Sequence, residues 1–183
     1  MKNLKNTFTM LIVVAFSLSI ASCGGSDNDD TPAEEQPTTA DYFLKAKIND
    51  VQFEALAPRV IAGKTADRIT ITAVLPDLRN FEISISDYPA NPVGTYTIPA
   101  TSGGTYLASL KFGEGAVSDA IFSAGSCCDL ECAAGLRGTL IITAISTTEI
   151  SGTFSFVGTQ TSGTCPRTKK IITEGSFKSG ITQ

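Results

Sequence analysis

Cys127, Cys128, Cys132 and Cys165 are the side chains in this 183-residue sequence whose type and grouping offer covalent or metal chemistry; a fifth cysteine, Cys23, stands far from them. Four is an even number. In an exported chain, which the N-terminus indicates below, four cysteines read most simply as two disulfides. Three pairings are open, and the vicinal Cys127–Cys128 link is the least favoured because its ring is strained. A bridge from Cys127 or Cys128 to Cys165 closes a loop of about 38 residues and stabilises by about 4 kcal/mol on the chain-entropy model, against about 2 kcal/mol for a Cys128–Cys132 link. Such bridges would pin the segments 129–135 and 158–168 together at one end of the fold. Four sulfurs could instead hold zinc or Cu(I), but Cys-Cys-Asp-Leu-Glu-Cys lacks the Cys-x-x-Cys spacing of zinc knuckles. No metal site and no cofactor are expected. Carboxylates offer the remaining chemistry: Asp129 with Glu131, and Glu149 with Glu174, are pairs that a glycosidase could use. Against that, residues 42–183 carry 12 acidic and 12 basic side chains, which is the composition of a solvated, neutral surface.

Absences narrow the classes further. The chain has no histidine, so Ser-His-Asp and Cys-His nucleophile systems and His-ligated zinc are excluded. It has no tryptophan, the commonest platform for stacking sugars, and only Tyr42, Tyr88, Tyr96 and Tyr106 remain for that purpose. No basic patch stands out, which argues against nucleic acid as a partner. These features point away from an enzyme.

The first thirty residues carry an address. Lys2 and Lys5 lead into an apolar run from Phe8 to Ile20 that is too short for a permanent span, which needs roughly 20 residues. Ile20-Ala21-Ser22-Cys23 resembles the lipobox of bacterial lipoproteins, which implies that residues 1–22 are removed and that the Cys23 thiol carries diacylglycerol, anchoring the chain in a membrane. Residues 24–41 are Gly, Ser, Asp, Asn, Thr, Pro, Glu and Gln with almost nothing bulky, and they read as a disordered acidic tether. As a flexible coil it reaches roughly 25 Å on average and about 60 Å fully stretched. Ser26-Asp27-Asn28-Asp29-Asp30 resembles the acidic export signal of Bacteroidota lipoproteins, which implies a lipid-anchored protein of the outer membrane, exposed at the cell surface.

The remaining 142 residues, 42–183, must form the domain that positions any site. Apolar residues alternate with polar ones at period two in Ile69-Ile71-Ala73-Leu75, Phe81-Ile83-Ile85, Tyr106-Ala108-Leu110-Phe112 and Ile150-Gly152-Phe154-Phe156, the mark of half-buried strands. Leu44, Ala46 and Ile48 share a face, Asn49-Asp50 makes a two-residue turn, and Val51, Phe53 and Ala55 return on that face. Further strands are expected near 59–62, 94–98, 116–123, 138–146 and 168–177. With no room for crossover helices, the expectation is a single antiparallel all-β domain of about ten strands, a β-sandwich, or alternatively a flattened up-and-down barrel of the lipocalin kind.

Lys47-Ile48-Asn49-Asp50-Val51-Gln52-Phe53, Gly94-Thr95-Tyr96, Ile150-Ser151-Gly152-Thr153-Phe154-Ser155-Phe156 and Ile172-Thr173-Glu174-Gly175-Ser176-Phe177 together resemble a family of Bacteroidota outer-membrane lipoproteins with a β-rich domain of unknown function. Asn-Gly or Asp-Gly is usual at the first turn of that family; Asn49-Asp50 departs from it. The resemblance implies fold and location, and it carries no active site.

The functional expectation is a non-catalytic surface module with an extracellular glycan or protein as partner. The alternatives are a structural envelope protein without a small ligand and a ligand-binding barrel. Loops at 86–93, 125–135 and 158–168 are the candidate surfaces. Asp87-Tyr88-Pro89-Ala90-Asn91-Pro92 is the longest with an aromatic, and Gly113-Glu114-Gly115 reads as a flexible turn, although prolines and glycines also serve simply to set turn geometry.

Overall fold

The computed structural model describes residues 41–99, 107–115, 120–126 and 136–182. The signal segment, Cys23, the tether up to residue 40, Tyr106, Cys127, Cys128, Cys132, Asp129 and Glu131 lie outside the described residues. The protein is all-β, with eleven strands and no α-helix among the described residues: β1 (Phe43–Ile48), β2 (Val51–Leu56), β3 (Val60–Lys64), β4 (Arg68–Val74), β5 (Arg79–Ser86), β6 (Gly94–Pro99), β7 (Ala108–Glu114), β8 (Ile121–Ser123), β9 (Leu136–Ile145), β10 (Glu149–Gln160) and β11 (Lys169–Thr182).

They form one sheet in the order β2-β1-β11-β3-β4-β5-β7-β8-β10-β9-β6, with a further pairing between β11 and β10. The two long strands β10 and β11 organise it. Along one edge of β11, β1 pairs from Phe43 opposite Lys178 to Ile48 opposite Ile172, and β3 takes over beyond the Phe43 end, with Ala62 opposite Ile181. Along the outer edge of β10, β9 pairs as far as Phe156, and β8 takes over at Thr159. The pairings therefore close a circuit through β11, β3, β4, β5, β7, β8 and back to β10.

The β3–β11 pairing is parallel, so the expectation of wholly antiparallel order is corrected. The cause is local. β2 runs antiparallel to β1 and β1 antiparallel to β11, so β2 already points along β11. The link through Ala57, Pro58 and Arg59 carries the chain onward without reversing it, and β3 meets β11 in the same direction. A crossover helix is needed only when a chain must return to its starting level.

Alternation decides which side of each strand is buried. Leu44, Ala46 and Ile48 of β1, Ile69, Ile71 and Ala73 of β4, Phe81, Ile83 and Ile85 of β5, and Ala108, Leu110 and Phe112 of β7 are all buried. Val51, expected on the buried face of the first hairpin, is 62% exposed because β2 is the end strand of the sheet order and Val51 is its first residue. Phe81 of β5 lies with ring centroids 4.8 Å from Phe53 of β2, 5.1 Å from Phe112 and 5.4 Å from Phe154. β2 and β5 are far apart in the sheet order, so the sheet folds over on itself and phenylalanines fill the space between.

β11 carries a bulge. Lys45 pairs with Ser176 and Lys47 with Thr173, while on the other side Phe154 pairs with Gly175 and Phe156 with Ile172. One extra residue is thus inserted at Glu174, whose φ of 52° is left-handed. Gly175 follows because a Cβ there would strike the Phe154 carbonyl and ring.

Two finer expectations are corrected and a third is met in part. Gly113-Glu114-Gly115 is not a free turn: Gly113 and Glu114 belong to β7, with Gly113 opposite Asn80 and Ile121, and only Gly115 lies beyond the strand. β10 runs to Gln160, so the candidate loop at 158–168 begins at Thr161. Within the expected strand at 116–123, β8 covers Ile121–Ser123, and residues 116–119 lie outside the described residues.

Candidate functional site

The outward side of the sheet around β10 presents rows of hydroxyls. Reading across the ladders, Thr95, Ile141, Thr153, Ser176, Lys45 and Glu54 stand side by side. The next row holds Thr97, Thr139 and Ser155, then Thr173 opposite Lys47 and Gln52. The bulge at Glu174 breaks the flatness of this face. Beside it lies an open groove of about 340 Å³ lined by Thr139, Ile141, Thr153, Phe154, Ser155, Glu174, Gly175 and Ser176. A second depression of about 210 Å³ shares Thr139 and Ser155 and continues past Arg137, Val157, Ile171 and Thr173. The two make one channel across β9, β10 and β11.

The channel has one carboxylate held in place. Lys47 Nζ lies 2.7 Å from Glu174 Oε1, and this hydrogen bond, with the attraction of the charge, raises the lysine above its ordinary pKa. Thr143 and Ser151 share a hydroxyl hydrogen bond of 3.2 Å at the other end of the face. Alcohols, a carboxylate and exposed Ile141 and Ile171 can accept and donate hydrogen bonds and make small apolar contacts. An alcohol becomes a nucleophile only with a base to take its proton. The one carboxylate lining the channel is paired with Lys47.

The carboxylate pair Glu149 and Glu174 is not brought together. Glu149 pairs opposite Gly180 whereas Phe154 pairs opposite Gly175, so about five residues of strand, roughly 17 Å, separate them, beyond the ~5–9.5 Å that glycosidases use. Each has its own lysine: Lys178 Nζ is 3.2 Å from Glu149 Oε1. Glu149 also stands beside Tyr42, whose phenol is pushed above its ordinary pKa by burial and then by the glutamate charge, with Lys178 opposing.

Of the candidate loops, 86–93 spends its polar groups on itself and its neighbours. Tyr88 Oη donates to the Thr65 carbonyl at 2.8 Å, Asp87 N to the Asp67 carbonyl at 2.8 Å, Asn91 Oδ1 accepts from Val93 N, and Tyr96 Oη donates to the Pro92 carbonyl at 2.7 Å. The prolines there set turn geometry. The segment after β10 meets β8 and the residues just after it: Arg167 Nη1 donates to Ser126 Oγ at 3.3 Å, and Thr161 N to the Ile121 carbonyl at 2.9 Å, while the expected junction with 129–135 lies outside the described residues. Cys165 is disulfide-bonded, and its partner lies outside the described residues. Gly94 aligns through Ile142 with Gly152, eight residues or roughly 26 Å along β10 from Gln160.

Sequence alone does not single out Thr139, Ile141, Thr153, Ser155 and Ser176 as a site, and it offers Glu174 only as a partner of Glu149. Their alternation marks a solvent face but does not show which strands are neighbours. Compared with known proteins, the chain matches no family model, no curated protein and no solved structure.

Proposed function

We propose that this protein is a non-catalytic recognition module of the bacterial cell surface, anchored through a lipidated Cys23 and its acidic tether to the outer membrane, which binds an extended extracellular glycan or protein segment along the β9–β10–β11 channel. The observation that carries the reading is the channel itself: open, lined by hydroxyls, shaped by a bulge at Glu174, and without a base free to activate an alcohol. The location rests on Ile20-Ala21-Ser22-Cys23 and the acidic run after it, and membership of the Bacteroidota lipoprotein family rests on the short strand motifs quoted above. The layering is read as a β-sandwich or, since the strand pairings close a circuit, a flattened barrel, with Phe53 and Phe81 from strands distant in the sheet order meeting inside it. That packed interior also favours an open surface over a carrier's enclosed cavity. Cys127, Cys128, Cys132 and Cys165 are taken as two disulfides that brace the loops beyond β8 and β10.

Binding to arrays of soluble glycans and immobilised envelope proteins tests the function. Thr153→Lys together with Ser155→Lys should abolish the interaction while leaving the far-ultraviolet spectrum intact. Absence of any ligand, together with envelope defects when the gene is deleted, would favour the structural alternative. Protease added to intact cells should remove the domain; survival until lysis would rule out surface display.

A further inference from the structure

Outward positions on the β9–β10 face are mostly threonines and serines, with Ile141 38% exposed among them, whereas exposed apolar residues gather at one corner of the β3–β4 ladder. Ile61 is 59% exposed opposite Thr72, and Val74 is 39% exposed beside it. Leu56, 54% exposed, is joined to the same corner through a 2.9 Å hydrogen bond from Arg59 N to its carbonyl, and Val74 N donates to the Arg59 carbonyl at 3.2 Å. Ile61 and Val74 line a groove of about 340 Å³ with Pro58, Arg59, Thr72, Leu75 and Pro76, and Leu56 stands at the chain link beside it. Its single charged side chain is a cation. Exposed apolar residues gathered in this way mark an interaction surface.

Its position indicates what covers it. Ala57 N donates to the Tyr42 carbonyl at 3.0 Å, so the corner adjoins the place where the chain enters the domain after Asp41. Only the 18 residues 24–41 lie between that place and Cys23. We infer that this Leu56–Ile61–Val74 face rests on the bilayer that holds the anchor, an inference that rests on the reading of Cys23 as lipidated. A linker of 18 residues, at most about 60 Å long, holds the domain and this face within reach of the lipid. Docking is then intramolecular, and a contact too weak to recruit a free protein is sufficient. Arg59 at the rim suits anionic headgroups, and no carboxylate in the lining opposes them.

The chain has no tryptophan, so one substitution installs a unique reporter. Full-length acylated protein carrying Ile61→Trp is reconstituted on phosphatidylethanolamine–phosphatidylglycerol vesicles containing lipids brominated high in the acyl chain, with Ile141→Trp on the hydroxyl face as its counterpart. Both sites are solvent-exposed, and circular dichroism confirms that each variant folds. The expected result is that both float with vesicles, that Ile61→Trp emission shifts to the blue and is quenched several-fold by bromine, and that Ile141→Trp is not. Adding Val74→Glu to Ile61→Trp should reverse the quenching. Vesicle-bound protein whose Ile61→Trp signal ignores bromine, or a blue shift that depends on protein concentration rather than on bromine, would overturn the membrane contact and leave the anchor standing. Failure to float would overturn both readings.

Discussion

Asn49 and Ile171 exchange two hydrogen bonds: Asn49 N donates to the Ile171 carbonyl at 2.8 Å, and Ile171 N donates to Asn49 Oδ1 at 2.8 Å. The side chain of a turn residue thereby stands in for a strand residue and lengthens the β1–β11 ladder past Ile48. Asn49 and Asp50 both have positive φ, 46° and 66°, as a two-residue turn of this hand requires.

Asn49→Ala should therefore cost about 1–2 kcal/mol, by stranding the Ile171 amide and placing alanine in a left-handed conformation. Asp50→Gly should stabilise by roughly 0.5–1 kcal/mol by relieving the same constraint. Urea unfolding of the two variants checks both signs, and equal effects would refute the assignment.

Glycines in the sheet are predicted to differ sharply. A Cβ on Gly152 would meet the Ile141 carbonyl and the Phe177 ring, whereas one on Gly63 meets nothing within 4 Å. Gly152→Ala should lose about 2–3 kcal/mol or more, in the range of overpacked cores, and Gly63→Ala should stay within about 0.5 kcal/mol of the parent in thermal denaturation.

Phe81 sits at the centre of the aromatic interior, touching Phe53, Phe112 and Phe154. Phe81→Ala is expected to cost about 3–5 kcal/mol, and Phe81→Leu distinctly less. If denaturant midpoints show no difference between the two, the interior is not packed as described.

Tyr42 supplies a pH dependence. Its folded pKa lies above the ordinary 10.0 through burial and the nearby Glu149, with Asp41 adding and Lys178 opposing. Above pH 10 the unfolded chain releases the phenolic proton before the folded one does, so this contribution is complete below that pH and is lost as pH rises toward the folded value. Tyr42→Phe should flatten the alkaline fall in stability, measured from pH 9 upward. An unchanged slope would remove Tyr42 from the account.

Disulfide content is tested by alkylation. If two bridges form, no thiol among Cys127, Cys128, Cys132 and Cys165 reacts before reduction and all four react after it. A reactive thiol in the unreduced protein would show that the pairing is incomplete.

The sequence by itself determined the strands and their faces, because period-two alternation is a local property: Ile69-Ile71-Ala73 and Phe81-Ile83-Ile85 are buried as their spacing requires, and Asn49-Asp50 turns the first hairpin. The expectation of an N-terminal address is likewise drawn from local sequence and rests on no fold. Strand neighbours are not local. That β3 lies parallel to β11, that Gly113 sits inside a ladder, that Glu149 and Glu174 stand apart, and that Thr139, Thr153 and Ser176 line one channel all depend on register. Register is set by how the whole buried face packs, so only the tertiary structure could place the hydroxyls in a row and open a groove at the bulge beside them.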